Sequence, residues 1–202
     1  DNNLIDVSSG CTDITLEDLE LKNAPAYGIG MQRDGFSNCL ISDVVIEETG
    51  RDGIDFKMDT NASGLGNLIR NVTVKNFGRY TTAQVPQAGI DVRCGVSVRD
   101  CYVDGTPANA VGCRVNNSAD LGETQASVFD NIKCVAASLT NTKGFQFVNT
   151  RGKYSNLQSE GAYINYWVRC DHSQFNNLIS KGGTFGVWSY ASGTETLGYN
   201  TF

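Results

Sequence analysis

The sequence predicts an all-β protein made of about seven to eight stacked coils, each coil contributing short strands to three parallel sheets. Three observations carry that reading. A motif led by Asn or Asp returns along the chain as Asp18-Leu-Glu-Leu, Asp43-Val-Val-Ile, Asn71-Val-Thr-Val, Asp100-Cys-Tyr-Val, Asn131-Ile-Lys-Cys, Asn156-Leu-Gln-Ser and Asn177-Leu-Ile-Ser. Successive anchors lie 25, 28, 29, 31, 25 and 21 residues apart, and self-similarity at such a period marks a repeat architecture. In most copies a Gly about ten residues on opens a second strand: Gly28-Ile-Gly-Met, Gly53-Ile-Asp-Phe, Gly89-Ile-Asp-Val, Gly144-Phe-Gln-Phe and Gly186-Val-Trp-Ser, with Val111-Gly-Cys-Arg in between. Finally, apolar and polar residues alternate with period two over runs of three to five residues, and no helical periodicity competes.

The elements follow in order. In the second coil Asn38-Cys-Leu-Ile is the first strand slot, Val44-Val-Ile-Glu the second and Gly53-Ile-Asp-Phe-Lys the third. The next coil repeats them as Asn67-Leu-Ile-Arg, Val72-Thr-Val-Lys and Gly89-Ile-Asp-Val-Arg. An antiparallel sandwich is also all-β, but it does not predict one strand pattern recurring in phase. Stacking does, because a single coil cannot bury its own apolar face and must rest on its neighbours. Alternation places Ile54, Phe56, Ile90, Val92, Val111, Cys113, Phe145 and Phe147 in one inward column.

Composition narrows the classes. A chain of 202 residues with 40% hydrophobic content fits one domain with a continuous core. Abundant Gly (22) and scarce Pro (3) suit many tight corners. No apolar run is long enough to span a membrane. The net charge of −6 argues against nucleic acid, whose binding rests on basic contacts to phosphate, while a local basic patch still permits an acidic polysaccharide. The seven cysteines (Cys11, Cys39, Cys94, Cys101, Cys113, Cys134, Cys170) are odd in number and lack CxxC spacing, so neither a zinc site nor a full disulfide framework is expected. Cys101, Cys113 and Cys134 fall on inward positions and read as reduced core residues. No metal and no cofactor are expected.

From Cys11-Thr-Asp-Ile-Thr-Leu to Gly198-Tyr-Asn-Thr-Phe the pattern resembles the right-handed single-stranded parallel β-helix of the pectate-lyase-like superfamily. Phage tailspikes, polysaccharide lyases and the catalytic module of alginate C5-epimerases are the look-alikes. The resemblance implies an extracellular or virion-surface protein acting on a polysaccharide, with a homotrimer as one assembly it accommodates. Residues 1–202 read as one β-helix domain that is a fragment of a longer β-helix. Alginate epimerases carry a Gly-Phe-Asp-Pro-His-type motif at a comparable strand. The matching stretch here, Gly53-Ile-Asp55-Phe-Lys57, keeps the first Asp and lacks the His, which counts against epimerase chemistry. The sole histidine, His172, starts a different coil and reads as a surface or corner residue, leaving no Ser-His-Asp triad.

Three insertions, Arg79 to Ala88, Asp59 to Gly66 and Asn116 to Ala126, flank the third-slot strands. They read either as tolerated surface loops or as the walls of a groove. Outward on those strands stand Asp55 and Lys57, Asp91 and Arg93, and Arg114, with Gln32, Arg33 and Gln146 on neighbouring coils. With coils about 4.8 Å apart, Asp55 and Asp91 become neighbours beside a basic column of Lys57, Arg93 and Arg114. Adjacent carboxylates push one pKa upward, which is the condition for acid/base catalysis of glycoside cleavage. The three cations would hold an acidic sugar or stabilise developing negative charge, and one of them would serve as a lyase base only with a lowered pKa. A plain solvated charge ladder is the other reading of the same residues. Trp167 and Trp188 are expected to face outward near Tyr163, Tyr166 and Tyr190, as a sugar-stacking platform or a subunit interface. The function expected is a polysaccharide-binding and -degrading β-helix; a non-catalytic structural or adhesin β-helix is the alternative, and a uronan C5-epimerase module the weaker one.

Overall fold

The structure is a computed structural model that describes residues 2–32, 35–57, 66–82, 84–93, 95–116, 127–148, 152–170 and 173–189. Short and long strands alternate along the chain. The short ones are β1 (Ile5–Asp6), β3 (Ile29–Met31), β5 (Ile54–Phe56), β7 (Ala88–Val92), β9 (Val111–Asn116), β11 (Lys143–Val148), β13 (Ile164–Arg169) and β15 (Phe185–Ser189). The long ones are β2 (Thr15–Lys22), β4 (Leu40–Glu47), β6 (Leu68–Lys75), β8 (Ser97–Thr106), β10 (Ser127–Ala136), β12 (Gly152–Glu160) and β14 (Gln174–Lys181). Each set forms one parallel sheet in chain order, of eight and seven strands. The protein is an all-β parallel solenoid. Among the described residues there is no helix, and so none long and apolar enough to cross a membrane.

Two features differ from the sequence expectation: the sheets number two, not three, and about six turns separate β2 from β14. Both the missing sheet and the shape of the long strands have one cause. The Asn/Asp anchors sit in the middle of the long strands with left-handed φ: 55° at Asp18, 56° at Asp43, 50° at Asn71, 54° at Asp100, 53° at Asn131, 54° at Asn156 and 53° at Asn177. Asn and Asp tolerate this region better than other side chains with a Cβ. The residue bends the strand without ending it, so pairing of β4 with β6 runs from Leu40 to Ser42 and resumes from Val44 to Glu47. Slots one and two are thus the two arms of a single strand. The bend also resets the alternation, which is why Ile41 is buried before it and Val44 and Ile46 after it. Along the solenoid the anchors hydrogen-bond one another: Asn131 Nδ2 donates to Asp100 Oδ1 at 2.7 Å and Asn177 Nδ2 to Asn156 Oδ1 at 2.9 Å.

The Gly column has a different origin. A Cβ on Gly53 would lie 2.6 Å from Gly89 O of the next coil and 2.5 Å from Val74 Cγ1 of the facing sheet; on Gly89 it would lie 2.8 Å from Gly112 O and 2.5 Å from Val103 Cγ1. Close approach of the two sheets at the start of β5 and β7, rather than an unusual φ, requires glycine there. The inward column is as expected, and Ile54, Ile90, Cys113, Phe145 and Tyr166 pair successively across five short strands. Phe145 stacks on Tyr166 with ring centroids 5.4 Å apart. At the β14–β15 end Ile179, Phe185 and Val187 are exposed, although Val187 continues the Tyr166 line. Cys101, Cys113 and Cys134 are buried and free, as are Cys39 and Cys170; Cys11 is free and half-buried. Cys94 lies outside the described residues.

Candidate functional site

The short strands carry one unbroken outward row. Registers pair Gly30 with Asp55, Asp55 with Asp91, Asp91 with Arg114, Arg114 with Gln146, Gln146 with Trp167, and Trp167 with Trp188. Six residues named from the alternation alone therefore share a line. Two other expectations need correction. Asp55 and Asp91 do not reach solvent, being 0% and 1% exposed, so the solvated-ladder picture fails at these two rungs. Tyr166 is an interior residue, its hydroxyl within 2.6 Å of Leu157 O and 2.7 Å of Ile179 O. Arg33, His172, Tyr190 and the stretches 59–65 and 117–126 lie outside the described residues.

The acids are sealed by side chains from neighbouring coils. Gln32 donates to Asp55 Oδ2 from the preceding coil. Lys57, one turn of alternation beyond Asp55, curls back so that its ammonium lies 2.7 Å from Asp55 Oδ1 and 3.0 Å from Asp91 Oδ2. Arg114 comes from the following coil, placing Nη2 2.5 Å from Asp91 Oδ2 and Nη1 3.1 Å from Pro86 O. Arg93 extends the ladder one residue past β7, its amide donating to Phe56 O at 3.0 Å. The group also contains a residue that sequence reasoning missed. Asp52, at the corner before Gly53, is 1% exposed, accepts from Ala88 N at 2.5 Å and stands 3.8 Å from the Lys57 ammonium. Alternation says nothing about corners, so the available signal was only its position immediately before the Gly of a strand that carries Asp55.

Three carboxylates and two cations in a buried space cannot all keep their ordinary pKa values. Burial first, then the charge of Asp91, lifts Asp52 to about 8, against the opposing pull of Arg114. Asp55 is also raised, by burial, with Lys57 opposing. For Asp91 burial pushes upward too, but Arg114, through charge and hydrogen bond, then Lys57, outweighs it and holds the group below its usual value. Burial disfavours the Lys57 ammonium, yet Asp91, Asp55 and Asp52 together raise its pKa above normal, and Arg114 is raised in the same way by Asp91. Lys57 and Arg114 thus stay charged, and the condition for either to act as a proton-abstracting base is not met. Near neutral pH the cluster holds a protonated Asp52 beside an ionised Asp91. One oxygen from each of Asp52, Asp55 and Asp91 lies within 4.8 Å of the others, a spacing a metal ion could bridge; the Lys57 ammonium is the cation placed there.

Above the cluster opens a pocket of about 480 Å³. Asp52, Lys57 and Arg114 form its floor, with walls from Tyr27, Arg51, Tyr80, Thr82, Val85, Pro86 and Gln87. The Arg79–Ala88 insertion therefore does wall this row. Arg51 is anchored on Tyr27, donating from Nη1 to the phenol oxygen at 3.1 Å. Farther along the row Gln146 is 8% exposed, Trp167 is half-buried with the Lys143 ammonium 5.1 Å from its ring centre, and Trp188 is exposed. Burial, and then the charge of Arg114, lowers the Lys143 pKa. Comparison with protein-family models, with curated proteins and with solved structures returned no match.

Proposed function

We propose that this chain is a glycan-cleaving β-helix of the pectate-lyase-like kind, a tailspike-type depolymerase domain, that hydrolyses its substrate by acid–base catalysis at Asp52, Asp55 and Asp91. The observation that carries the proposal is the split between two neighbouring buried carboxyls, of which Asp52 lines the pocket and Asp91 lies beneath it: Asp52 is held protonated up to about pH 8, while Asp91 is held ionised. Environments that push paired carboxyls apart are how one site supplies both an acid and its anionic counterpart. Asp52 protonates the glycosidic oxygen as the bond breaks, and Asp91 stabilises the cationic sugar that develops; a water then adds to the anomeric carbon and gives a proton to the Asp52 carboxylate, which restores the acid and releases a new reducing end. Carboxyl oxygens within 4.8 Å sit nearer the separation of about 5–5.5 Å used by retaining enzymes than the about 6.5–9.5 Å of inverting ones. Lyase or epimerase chemistry ranks behind hydrolysis, because Lys57 and Arg114 are kept charged. The glycan lies along the outward row toward Trp167 and Trp188, in an extracellular or virion-surface setting, with trimer formation covering the apolar end.

The test is release of reducing ends from a panel of bacterial surface polysaccharides. Asp52→Asn is expected to lower turnover by about 10²- to 10⁴-fold with an unchanged β circular-dichroism spectrum, and wild-type kcat is expected to fall as pH rises through about 8. Unaltered turnover in Asp52→Asn removes the proposal, and an unsaturated product reassigns the chemistry to elimination. One observation favours a non-catalytic adhesin instead: Asp55 and Asp91 are sealed from solvent. That reading predicts saturable glycan binding without any product.

A further inference from the structure

We infer that the pocket above the acid cluster admits a sugar bearing an anionic substituent, a carboxylate or a phosphate, and that Arg51 is the residue that selects it. The inference rests on the glycan reading above but concerns which substrate enters rather than how it is cleaved. Among the described residues, Arg51, Lys57 and Arg114 are the cations that line the pocket. Two of them are engaged from below. Lys57 is 2.7 Å from Asp55 Oδ1, and Arg114 is paired with Asp91, with side chains only 19% and 11% exposed. Arg51 differs on both counts. It is exposed and forms no ion pair among the described residues. Its hydrogen bond from Nη1 to the Tyr27 phenol oxygen, 3.1 Å long, fixes the side chain at the pocket wall. A guanidinium has five N–H donors, so most of them are left to solvent or to a ligand.

Charge favours an anion. Asp52 keeps its proton up to about pH 8, and Asp55 and Asp91 lie beneath the pocket without lining it. Three cations therefore face two carboxylates at most, a local charge of at least +1 in a chain whose net charge is −6. A local field of this kind, not the global sum, sets what the pocket attracts. Geometry favours the same class. The planar fork of a guanidinium matches carboxylate and phosphate oxygens two at a time, and such charge-assisted pairs are roughly twice as strong as neutral hydrogen bonds. The opposite wall supplies what a sugar ring needs: the exposed Tyr80 ring, the Val85 side chain and the Thr82 hydroxyl. Arg51 immediately precedes Asp52 in the chain, so the anionic group it holds belongs to a sugar at the cleaved bond.

The experiment titrates the whole chain by calorimetry with galacturonate and glucose 6-phosphate, with galactose and glucose as their uncharged counterparts, and with inorganic phosphate alone. At least one anionic sugar is expected to bind about tenfold or more tightly than its uncharged counterpart, and Arg51→Gln to abolish that preference. The tighter of the two anionic sugars distinguishes carboxylate from phosphate. Affinity for it should fall as salt is raised, because the pair is solvent-accessible. Arg51→Lys keeps the charge without the fork and should retain part of the preference. Arg51 is exposed, so Arg51→Gln is expected to melt at the wild-type temperature, which separates lost binding from lost fold. Equal binding of charged and uncharged sugars, a preference that survives Arg51→Gln, or saturation by inorganic phosphate with no anionic sugar bound overturns the inference. Cleavage of a neutral glycan at a rate insensitive to Arg51→Gln removes the selection and leaves the hydrolase standing; Arg51-dependent binding of an anionic sugar without cleavage of any polymer that carries it does the reverse.

Discussion

Replacing Lys57 by Met tests whether the acid cluster is a compensated buried network. The ammonium lies 2.7, 3.0 and 3.8 Å from oxygens of Asp55, Asp91 and Asp52, and its side chain is only 19% exposed. Methionine matches its length and shape, so the change removes charge with little loss of packing. Breaking a buried pair by deleting one partner costs about 3–5 kcal/mol, because the other charge stays buried and uncompensated. For a domain of this size that corresponds to roughly a 6–20 °C fall in Tm. Two controls sharpen the result. Adding Asp55→Asn restores the balance of one carboxylate to one cation, Asp91 with Arg114, and should recover at least half of the loss. The second is pH. In the variant the Asp55 carboxyl, already raised in the wild type, rises further above its unfolded value near 3.8. The folded state then binds a proton that the unfolded state lacks, so the deficit relative to wild type is largest near pH 7–8 and shrinks as pH falls toward 4. Thermal and urea unfolding followed by circular dichroism measure both. A loss below about 1 kcal/mol, or a deficit independent of pH, would refute the argument that these charges are screened from water.

Other expectations follow from single residues. Asp52 carries the opposite linkage from an ordinary salt-bridged acid: with a folded pKa of about 8 against an unfolded 3.8, its contribution to stability declines as pH rises between those values, by up to about 1.4 kcal/mol per unit. Asp52→Asn should flatten that slope in a pH series of melting curves, and equal slopes would count against burial of the proton. Asn131→Val should cost about 2–3 kcal/mol, from the lost bond to Asp100 and a β-branched residue at φ 53°, whereas Asn131→Gly should cost less. Gly89→Ala should cost about 1–3 kcal/mol by overpacking, since its Cβ would meet Val103 and the Gly112 carbonyl; a neutral result would mean that the sheets can separate at the strand entry.

The solenoid was legible because each of its coils obeys the same local rules. Period-two alternation placed Ile54, Phe56, Ile90, Val92, Cys113, Phe145 and Phe147 inside, and Asp55, Asp91, Arg114, Gln146, Trp167 and Trp188 on one outward line, because in a stacked fold the register between coils is set by those same inward residues. The Asn/Asp and Gly signals were equally plain as a repeat, but their physical meaning was not. Whether an Asp between two apolar runs ends a strand or bends it depends on φ, and φ at Asp43 or Asn71 is decided by the ladder of neighbours above and below.

Burial of the site belonged to the tertiary structure alone. Alternation gives the side from which Asp55 and Asp91 emerge, not what covers it. That was decided by Lys57 folding back, by Arg114 reaching across a coil, and by a corner that brings Pro86 over the row. Asp52 entered the cluster for the same reason, since a corner residue has no side-chain parity to read. The repeat and the line of residues on it are properties of the sequence, because each follows from a local period. The protonated Asp52 and the ionised Asp91 are properties of the assembled fold, because desolvation and Coulomb interaction depend on distances between residues as far apart as positions 52, 57, 91 and 114.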